Sequence, residues 1–136
     1  MTIPDFDAAN PPDRPVFTTC DLLPMQEAKH VSMKIKYVLQ AFRQDLERTY
    51  GDRLVRVVLY GSYARGEETS ESDVDVVVVL TDMRSPFDEI QTMSDSSVEP
   101  LLKYEELVSV VPMTQDKFLY QDSPLLRNVR QEGVIV

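Results

Sequence analysis

Cysteine and histidine are almost missing from the 136-residue sequence, which has one of each, Cys20 and His30. A single cysteine excludes an intramolecular disulfide bond and a cysteine-rich zinc site. Because neither residue has a partner of its own kind, we interpret His30 as a solvated helix residue and Cys20 as a small packing residue, not as ligands or nucleophiles. The scarcity of thiols is typical of the reducing cytoplasm, where we expect the protein to be located.

Basic residues are also few, with 14 Lys and Arg against 23 Asp and Glu and a formal net charge of −9. This balance disfavours a protein that grips a phosphate backbone, so we expect no stable nucleic-acid binding. No apolar run approaches the roughly 20 residues that span a bilayer, and the first residues lack a signal-peptide pattern. We therefore predict no association with a membrane.

What the sequence does contain is enough apolar surface, 43% of its residues, for the core of one domain. Residues 1–24 hold five of the nine prolines, which neither nucleate a helix nor pair well as a strand. The interpretation is an extended arm over residues 1–24 and a folded domain over residues 25–136.

Strand and helix patterns alternate through this predicted domain. Apolar residues at helical spacing predict a helix that starts at Met25 and ends near Tyr50 and Gly51. Strands are predicted for "LVRVVLY" (54–60), "DVDVVVVL" (73–80) and "LVSVVPM" (107–113), the second of them covered on both faces. The alternation predicts an α/β fold, a small sheet backed by helices.

Three further helices complete this prediction. "SYARGE" is interpreted as a helical turn with Ser62 as its N-cap and Gly66 as its stop, and the last helix has Ser123 as cap and ends at Gly133. Between them, a helix starting at Ser85 and Pro86 is predicted to end or kink at Pro100. Its apolar side is predicted from the spacing of Phe87, Ile90, Met93 and Val98.

Two aspartates stand at the start of the most apolar strand. Side chains two apart on a strand point to the same face, so Asp73 and Asp75 are expected side by side, with Cβ atoms roughly 6.5 to 7 Å apart. Magnesium is usually held by one or two carboxylates together with substrate phosphates. The pair therefore predicts a Mg²⁺ site.

A Gly-Ser pair precedes the aspartates by ten residues, at the end of another predicted strand. Gly61 lets the backbone approach a ligand, and the turn at Ser62 presents unsatisfied N–H groups to an anion. Each feature by itself also has a purely structural explanation, because Gly-Ser turns commonly connect a strand to a helix and acidic residues commonly stand at the edge of a strand. Together they favour a site for a metal-bridged triphosphate.

The stretch "YGSYARGEETSESDVDVVVVL" resembles the signature of the DNA polymerase β superfamily of nucleotidyltransferases. Within this superfamily, residues 54–136, including the tail "SPLLRNVRQEGVIV", are most similar to the minimal nucleotidyltransferases. These small proteins are commonly the antitoxins of toxin-antitoxin modules in which the partner is a HEPN-domain protein. The similarity implies a small mixed sheet of polymerase β type. It also implies that Gly61 and Ser62 bind nucleotide phosphates and that Asp73 and Asp75 bind catalytic Mg²⁺.

For Arg65 the resemblance implies a charge directed at a phosphate, and a solvated arginine on a short helix is the equal alternative. One departure from the family concerns the third acidic residue, usually found on the next strand in a setting like "VDLVP". Here the stretch is "VSVVP", with Ser109 at that place. Serine is a poor Mg²⁺ ligand and no base at neutral pH. Glu105 has the parity to substitute if the strand starts early, but a solvated acidic turn at Glu105 and Glu106 is the favoured interpretation.

Three functions follow from the sequence. The first is a Mg²⁺-dependent transferase that passes a nucleoside monophosphate, AMP from ATP, to a hydroxyl on a HEPN-type partner protein and so acts as an antitoxin. The second is a binding module that masks its partner and has lost catalysis together with the third carboxylate. The third is a nucleotide sensor without turnover.

Overall fold

The computed structural model describes residues 22–136, and for residues 97–101 it describes the backbone but not the side chains. Residues 1–21 of the predicted arm, including Cys20, lie outside the described residues. The strands are β1 (Leu23–Pro24), β2 (Leu54–Tyr60), β3 (Val74–Leu80), β4 (Val108–Thr114) and β5 (Val134–Ile135). The helices are α1 (Met33–Tyr50), α2 (Ser62–Arg65), α3 (Pro86–Tyr104), α4 (Gln115–Tyr120) and α5 (Pro124–Glu132).

The strands form one mixed sheet in the order β1-β5-β2-β3-β4. Strand β2 runs antiparallel to both of its neighbours, β3 and β5, whereas β3 and β4 are parallel. Helix α3 makes the crossover that a parallel pair requires. The predicted α/β class, a small mixed sheet backed by helices, is confirmed.

Both faces of strand β3 are covered, which explains its run of valines. Alternate residues point to opposite faces, and every residue of β3 except Asp75 is buried. One face packs against α1 and α3 in a core that includes Phe42, Leu46 and Met93. The other face packs against α4 and α5 through Phe118, Leu126 and Val129. The prediction of a strand covered on both faces is confirmed.

Helix α1 starts later than its apolar pattern predicts. Ser32 is its N-cap, and the hydroxyl accepts a hydrogen bond from the Ile35 N–H at 3.3 Å. Residues Met25–Glu27 form a separate 3-10 turn. Because Met25 is itself buried in the same core, it contributes to the apolar pattern without belonging to the helix.

The last residues of the predicted arm belong to the sheet. Leu23 and Pro24 pair in parallel with Val134 and Ile135 of β5, so the expectation that the arm pairs poorly as a strand is wrong for these two residues. Pro24 is tolerated because β1 lies at the edge of the sheet, where a missing N–H costs no ladder bond. The boundary between residues 24 and 25 stays a prediction.

Helix α3 differs from its prediction in two ways. It continues through Pro100 to Tyr104, so Pro100 does not end it, and the alternative that Pro100 kinks it stays a prediction. Its buried side is formed by Glu89, Met93 and Ser96, whereas Phe87 and Ile90 are 65% and 44% exposed. The helix turns Glu89 inward because its carboxylate accepts a hydrogen bond from the Tyr50 hydroxyl at 2.9 Å. The side chain of Val98 is outside the described set.

The caps of α5 agree with the sequence. The Ser123 hydroxyl accepts the Leu126 N–H at 3.2 Å, Pro124 is the first residue of α5, and Gly133 follows its end. Within residues 22–136, no helix combines the length and the apolar character needed to cross a bilayer.

Candidate active site

Asp73 and Asp75 lie where strand β3 begins. Asp73 directly precedes the strand and is exposed, and Asp75 is its second residue and half-buried. In the sheet, Asp75 is the direct neighbour of Tyr60 on β2 and of Ser109 on β4. By strand alternation it points to the α4 and α5 side, at the end of the sheet where β2 finishes.

The two carboxylates act on each other electrostatically. Burial raises the pKa of Asp75 above its ordinary value, and the negative charges of Asp73 and Glu132 raise it further, while Arg65 lowers it. A carboxyl whose ionised form is disfavoured by neighbouring charge is stabilised by a cation. Burial and the neighbouring negative charges together make Asp75 a carboxylate whose ionised form a bound cation would stabilise.

Gly61 connects β2 to α2 and lies directly against Asp75. Its backbone has φ 81° and ψ −160°, a combination that is essentially restricted to glycine. A Cβ atom added at this position would lie 2.5 Å from Asp75 Oδ2. Only glycine therefore fits both the turn and the space beside the carboxylate.

Ser62 is the first residue of α2, and Gly61 takes the N-cap position that the sequence assigns to Ser62. At this first position the Ser62 N–H has no acceptor within the helix, so it is oriented outward. Gly66 ends the helix in the left-handed conformation, with φ 72°, as the sequence predicts. The turn thus brings the Ser62 backbone amide to the edge where Asp75 lies.

Glu132, which the sequence analysis does not single out, closes the site from α5. Its carboxylate accepts the Gly61 N–H, and the same oxygen, Oε2, lies 2.9 Å from Arg65 Nη1. The pKa of the Tyr60 hydroxyl is raised by burial, then by the charges of Asp75 and Glu132, so both carboxylates lie near it. One signal could have found Glu132: an acidic residue in the last turn of a helix opposes the helix dipole and calls for a cationic partner elsewhere.

These contacts change the predicted phosphate cradle. The Gly61 N–H, assigned to nucleotide phosphate by the resemblance, donates to Glu132 in this structure. Arg65 is held by two carboxylates, through Nε to Glu67 at 2.9 Å and through Nη1 to Glu132. Arg65 is therefore neither freely solvated nor free to follow a ligand without leaving these partners.

No acidic residue takes the place of the third carboxylate on β4. Ser109 stands beside Asp75 at that position. Glu105 lies before the strand, exposed and with φ 57°, so it does not extend β4. Glu106 accepts the Tyr63 hydroxyl at 2.7 Å and pairs with Lys34 at 3.1 Å, so the expectation that it is a solvated turn residue is wrong.

The residues fit a Mg²⁺ ion that is shared with a substrate. Within the described part of the chain, no group of three His, Cys, Asp or Glu side chains is arranged to enclose a metal. Two carboxylates at the start of β3 supply the hard oxygen donors that Mg²⁺ prefers. Magnesium commonly binds to one or two carboxylates and completes its shell with water and phosphate oxygens. Asp73 and Asp75 would hold it.

A cavity of about 440 Å³ adjoins helix α2, with Arg65, Glu132, Arg130 and His30 among its lining residues. Asp73, Asp75 and Ser62 do not line it. His30 is exposed, as the sequence suggests, but it lies in the turn before α1 and not in the helix, with Nε2 2.5 Å from the Ala64 carbonyl oxygen. The cavity therefore borders helix α2 and not the carboxylate pair.

Comparison with known proteins identifies the family. Residues 35–135 match the sequence model of the nucleotidyltransferase domain. Two proteins of Methanocaldococcus jannaschii, both named "putative protein adenylyltransferase", are similar to the chain. One is 37% identical over 79 residues, 58% of this chain and 79% of the relative. The other is 30% identical over 105 residues, 76% of this chain and 99% of the relative.

Among solved structures, a toxin-antitoxin complex crystallised with AMP-PNP superposes with a TM-score of 0.48 at 20% identity, over 69% of this chain and 68% of that one. This superposition is only partial, and the family is shown by the domain match and the sequence relatives. The resemblance to nucleotidyltransferases inferred from "GSYARG" and "DVD" is thereby confirmed. The chain belongs to the nucleotidyltransferase domain family.

Proposed function

We propose that this nucleotidyltransferase transfers AMP from ATP, with Mg²⁺, to a side-chain hydroxyl of a HEPN-type partner protein, and so acts as an antitoxin. In this reaction the acceptor oxygen forms a bond to the α-phosphorus and loses its proton to solvent or a base. The bond between the α-phosphorus and the bridging oxygen breaks, and pyrophosphate leaves. The proposal also places the protein in the cytoplasm, with its nucleotide and its partner.

The observation that supports this most is the contact between the Gly61 turn and Asp75. It brings the Ser62 amide, which can bind an anion, to the edge where Asp75 lies, and the pKa of Asp75 is raised by burial and then by the charges of Asp73 and Glu132. When bound, Mg²⁺ would neutralise the charge that develops on the phosphates. The protein's own share is to hold Asp73 and Asp75 as its ligands and to orient the triphosphate with Ser62 and Arg65.

The acceptor is the least constrained part of the proposal. Both relatives carry names that specify protein adenylyltransfer, which favours a protein hydroxyl over a nucleic acid. The net charge of −9 agrees with this, because it opposes binding of a phosphate backbone. The HEPN partner and the antitoxin role come from the family resemblance in the sequence.

One experiment tests the whole proposal. The protein is incubated with Mg²⁺, ATP and the product of the neighbouring reading frame, and the partner is then weighed by intact mass spectrometry. We expect the partner to gain one AMP, and we expect no gain with the Asp73→Asn, Asp75→Asn double variant. An unchanged mass of the partner after incubation with the wild-type protein would contradict the proposal.

Ser109 supports a second candidate, a partner-masking module without catalysis. Its register opposite Asp75 leaves the site without the third carboxylate that orients the acceptor hydroxyl in related enzymes. For this candidate the same incubation yields a stable complex with unchanged masses, and the double variant binds the partner as well as the wild type does. The two candidates are thus separated by mass and by complex formation.

A further inference from the structure

Glu132 connects the C-terminal end of α5 to the Gly-Ser turn. We propose that Glu132 is a positioning residue, which fixes the Gly61 backbone and Arg65 relative to Asp75 and thereby prepares the turn for a Mg²⁺-bound triphosphate. The inference rests on the proposed function for its ligand but concerns a residue to which neither the family signature nor the sequence patterns assign a role. Its first support is that Oε2 accepts from both the Gly61 N–H and Arg65 Nη1, and Oε1 lies 3.1 Å from the same Nη1.

The second support is the rigidity of the segment that carries this carboxylate. Leu126 and Val129 of the same helix are buried in the core, and strand β5 begins two residues after Glu132. Gly133 has no space for a side chain, since a Cβ there would lie 2.5 Å from the Val129 carbonyl oxygen. The Glu132 side chain is only 14% exposed. A carboxylate held in this way can serve as a fixed acceptor.

The third support is what Glu132 holds. Gly61 has a backbone conformation that is costly for other residues and that a free chain seldom adopts. A hydrogen bond from its N–H to a fixed carboxylate keeps this conformation, and with it the separation of the turn from Asp75 Oδ2. Arg65 is held in the same contact, so its remaining N–H groups keep a defined direction.

Two other roles for Glu132 make different predictions. If Glu132 mimicked a phosphate and had to leave when ATP binds, removing its charge would tighten binding in every variant. If Glu132 were a metal ligand, both Glu132→Gln and Glu132→Ala would weaken binding of Mg²⁺. A positioning role through Oε2 requires a hydrogen-bond acceptor and not a negative charge. The amide oxygen of Glu132→Gln supplies such an acceptor, whereas Glu132→Ala has none.

The test measures Mg²⁺·ATP binding by titration calorimetry for the wild type, Glu132→Gln and Glu132→Ala. We expect Glu132→Gln to bind close to the wild-type affinity and Glu132→Ala to bind about tenfold to a hundredfold more weakly, the usual range when a hydrogen-bond donor is left without its acceptor. Amide hydrogen exchange of Gly61, followed by NMR without nucleotide, should be slow in the first two proteins and fast in Glu132→Ala.

A matched control is Asp122→Ala. Asp122 pairs with Arg127 and Arg130 of the same helix, and its removal should leave both readouts unchanged. Tighter binding by both Glu132 variants, weaker binding by both, or an unchanged Gly61 exchange rate in Glu132→Ala would overturn the proposal. If the wild type binds no Mg²⁺·ATP, the proposed function fails, and the exchange rates still decide whether Glu132 holds the turn.

Discussion

Strand β2 has an arginine and two carboxylates at each of its ends, but the two ends differ in what remains unpaired. Before the strand, Arg53 Nε lies 2.9 Å from Asp82, and Nη2 lies 3.4 Å from Glu89. After the strand, Arg65 pairs with Glu67 and Glu132. The composition of the two clusters is therefore almost the same.

At the Arg53 end, both carboxylates form ion pairs with the arginine. Glu89 also accepts the Tyr50 hydroxyl, and the Arg53 guanidinium lies 5.3 Å from the centre of the Tyr50 ring. The hydrogen bond from Arg53 holds the pKa of Asp82 below its ordinary value. At the Arg65 end, Asp73 and Asp75 add two carboxylates, and the pKa of Asp75 is raised.

This difference separates a structural cluster from a candidate site. A carboxylate whose ionised form is favoured by its surroundings stabilises the fold. A carboxylate whose ionised form is disfavoured is a candidate to bind a positively charged ligand. The Arg53 cluster joins α1, β2, β3 and α3 at one end of the sheet. The Arg65 cluster orients a turn, and the excess charge beside it favours a cation.

The largest expected effect comes from Gly61, directly after β2. Gly61→Ala forces a methyl group to within 2.5 Å of Asp75 Oδ2, so the turn or the Asp75 carboxylate must shift. We expect the rate of transfer to fall about hundredfold, the loss typical of a displacement near 1 Å in an active site. Single-turnover kinetics with Mg²⁺ and ATP measure this.

The matched control is Gly51→Ala at the other end, where φ is 55° but no atom lies within 4 Å of the added Cβ. It should cost about 1 kcal/mol of unfolding free energy through backbone strain alone and leave transfer unchanged. An equal loss of the transfer rate in the two variants would contradict the proposed difference between the two ends of β2.

A second variant tests the structural end. Glu89→Ala removes a buried carboxylate and leaves the Tyr50 hydroxyl and one Arg53 donor without their acceptor. We expect a loss of about 1 to 3 kcal/mol in the free energy of unfolding, measured by urea denaturation. Binding of Mg²⁺·ATP to the remaining folded protein should not change.

Phe87→Ala on the same helix is the control for Glu89→Ala. Phe87 is 65% exposed, so its truncation should change the unfolding free energy by about 0.5 kcal/mol or less. A larger cost for Phe87→Ala than for Glu89→Ala would mean that the apolar pattern, and not the Arg53 cluster, anchors α3.

The pH dependence of stability should have opposite signs at the two ends. Because the pKa of Asp75 is raised on folding, its contribution to stability falls as the pH rises from the ordinary carboxyl pKa through the raised value. Because the pKa of Asp82 is lowered, its contribution is lost as the pH falls from the ordinary value through the lowered one.

Urea unfolding over a pH series checks these signs. Above the window, Asp75→Asn should be more stable than the wild type, and Asp82→Asn should be less stable. Added Mg²⁺ should stabilise the wild type and not Asp75→Asn, because the ion binds only the folded carboxylates. A stability gain from Mg²⁺ in Asp75→Asn equal to that of the wild type would place the metal elsewhere.

The smallest change is expected from Ser109→Asp, which adds a carboxylate beside Asp75 on β4. If the third metal ligand is what the site lacks, the rate of transfer rises and the fold loses a little stability from added repulsion. Mass spectrometry and denaturation measure the two effects together. An unchanged rate would mean that the role of the third carboxylate lies elsewhere.

Much of the fold could be predicted because its signals are local. The valines of β3, the start of α5 at Ser123 and Pro124, and the left-handed stop at Gly66 depend on neighbouring residues alone. Predictions failed where distant contacts decide. Glu89 turns inward for Tyr50, 39 residues away, and Met25 is buried in the same core as α1 without being helical.

The site shows the same division. Asp73, Asp75, Gly61 and Ser62 were found because a metal pair and an anion turn require those residue types at short spacing, although their roles stay predictions. Glu132 was missed because it is 71 residues from Gly61 in the chain, and only the packing of α5 against β2 brings its carboxylate to the Gly61 amide.

By itself, the sequence determined the order of the three long strands and of helices α1, α2, α3 and α5, the family, and the residues suited to bind a cation and a phosphate, because these depend on side-chain chemistry and local periodicity. Only the tertiary structure decided how each carboxylate is surrounded. Arg53 and Arg65 are the same residue type, each with two carboxylate partners, and only burial and the contacts made across the sheet raise the pKa of Asp75 at one end and lower the pKa of Asp82 at the other.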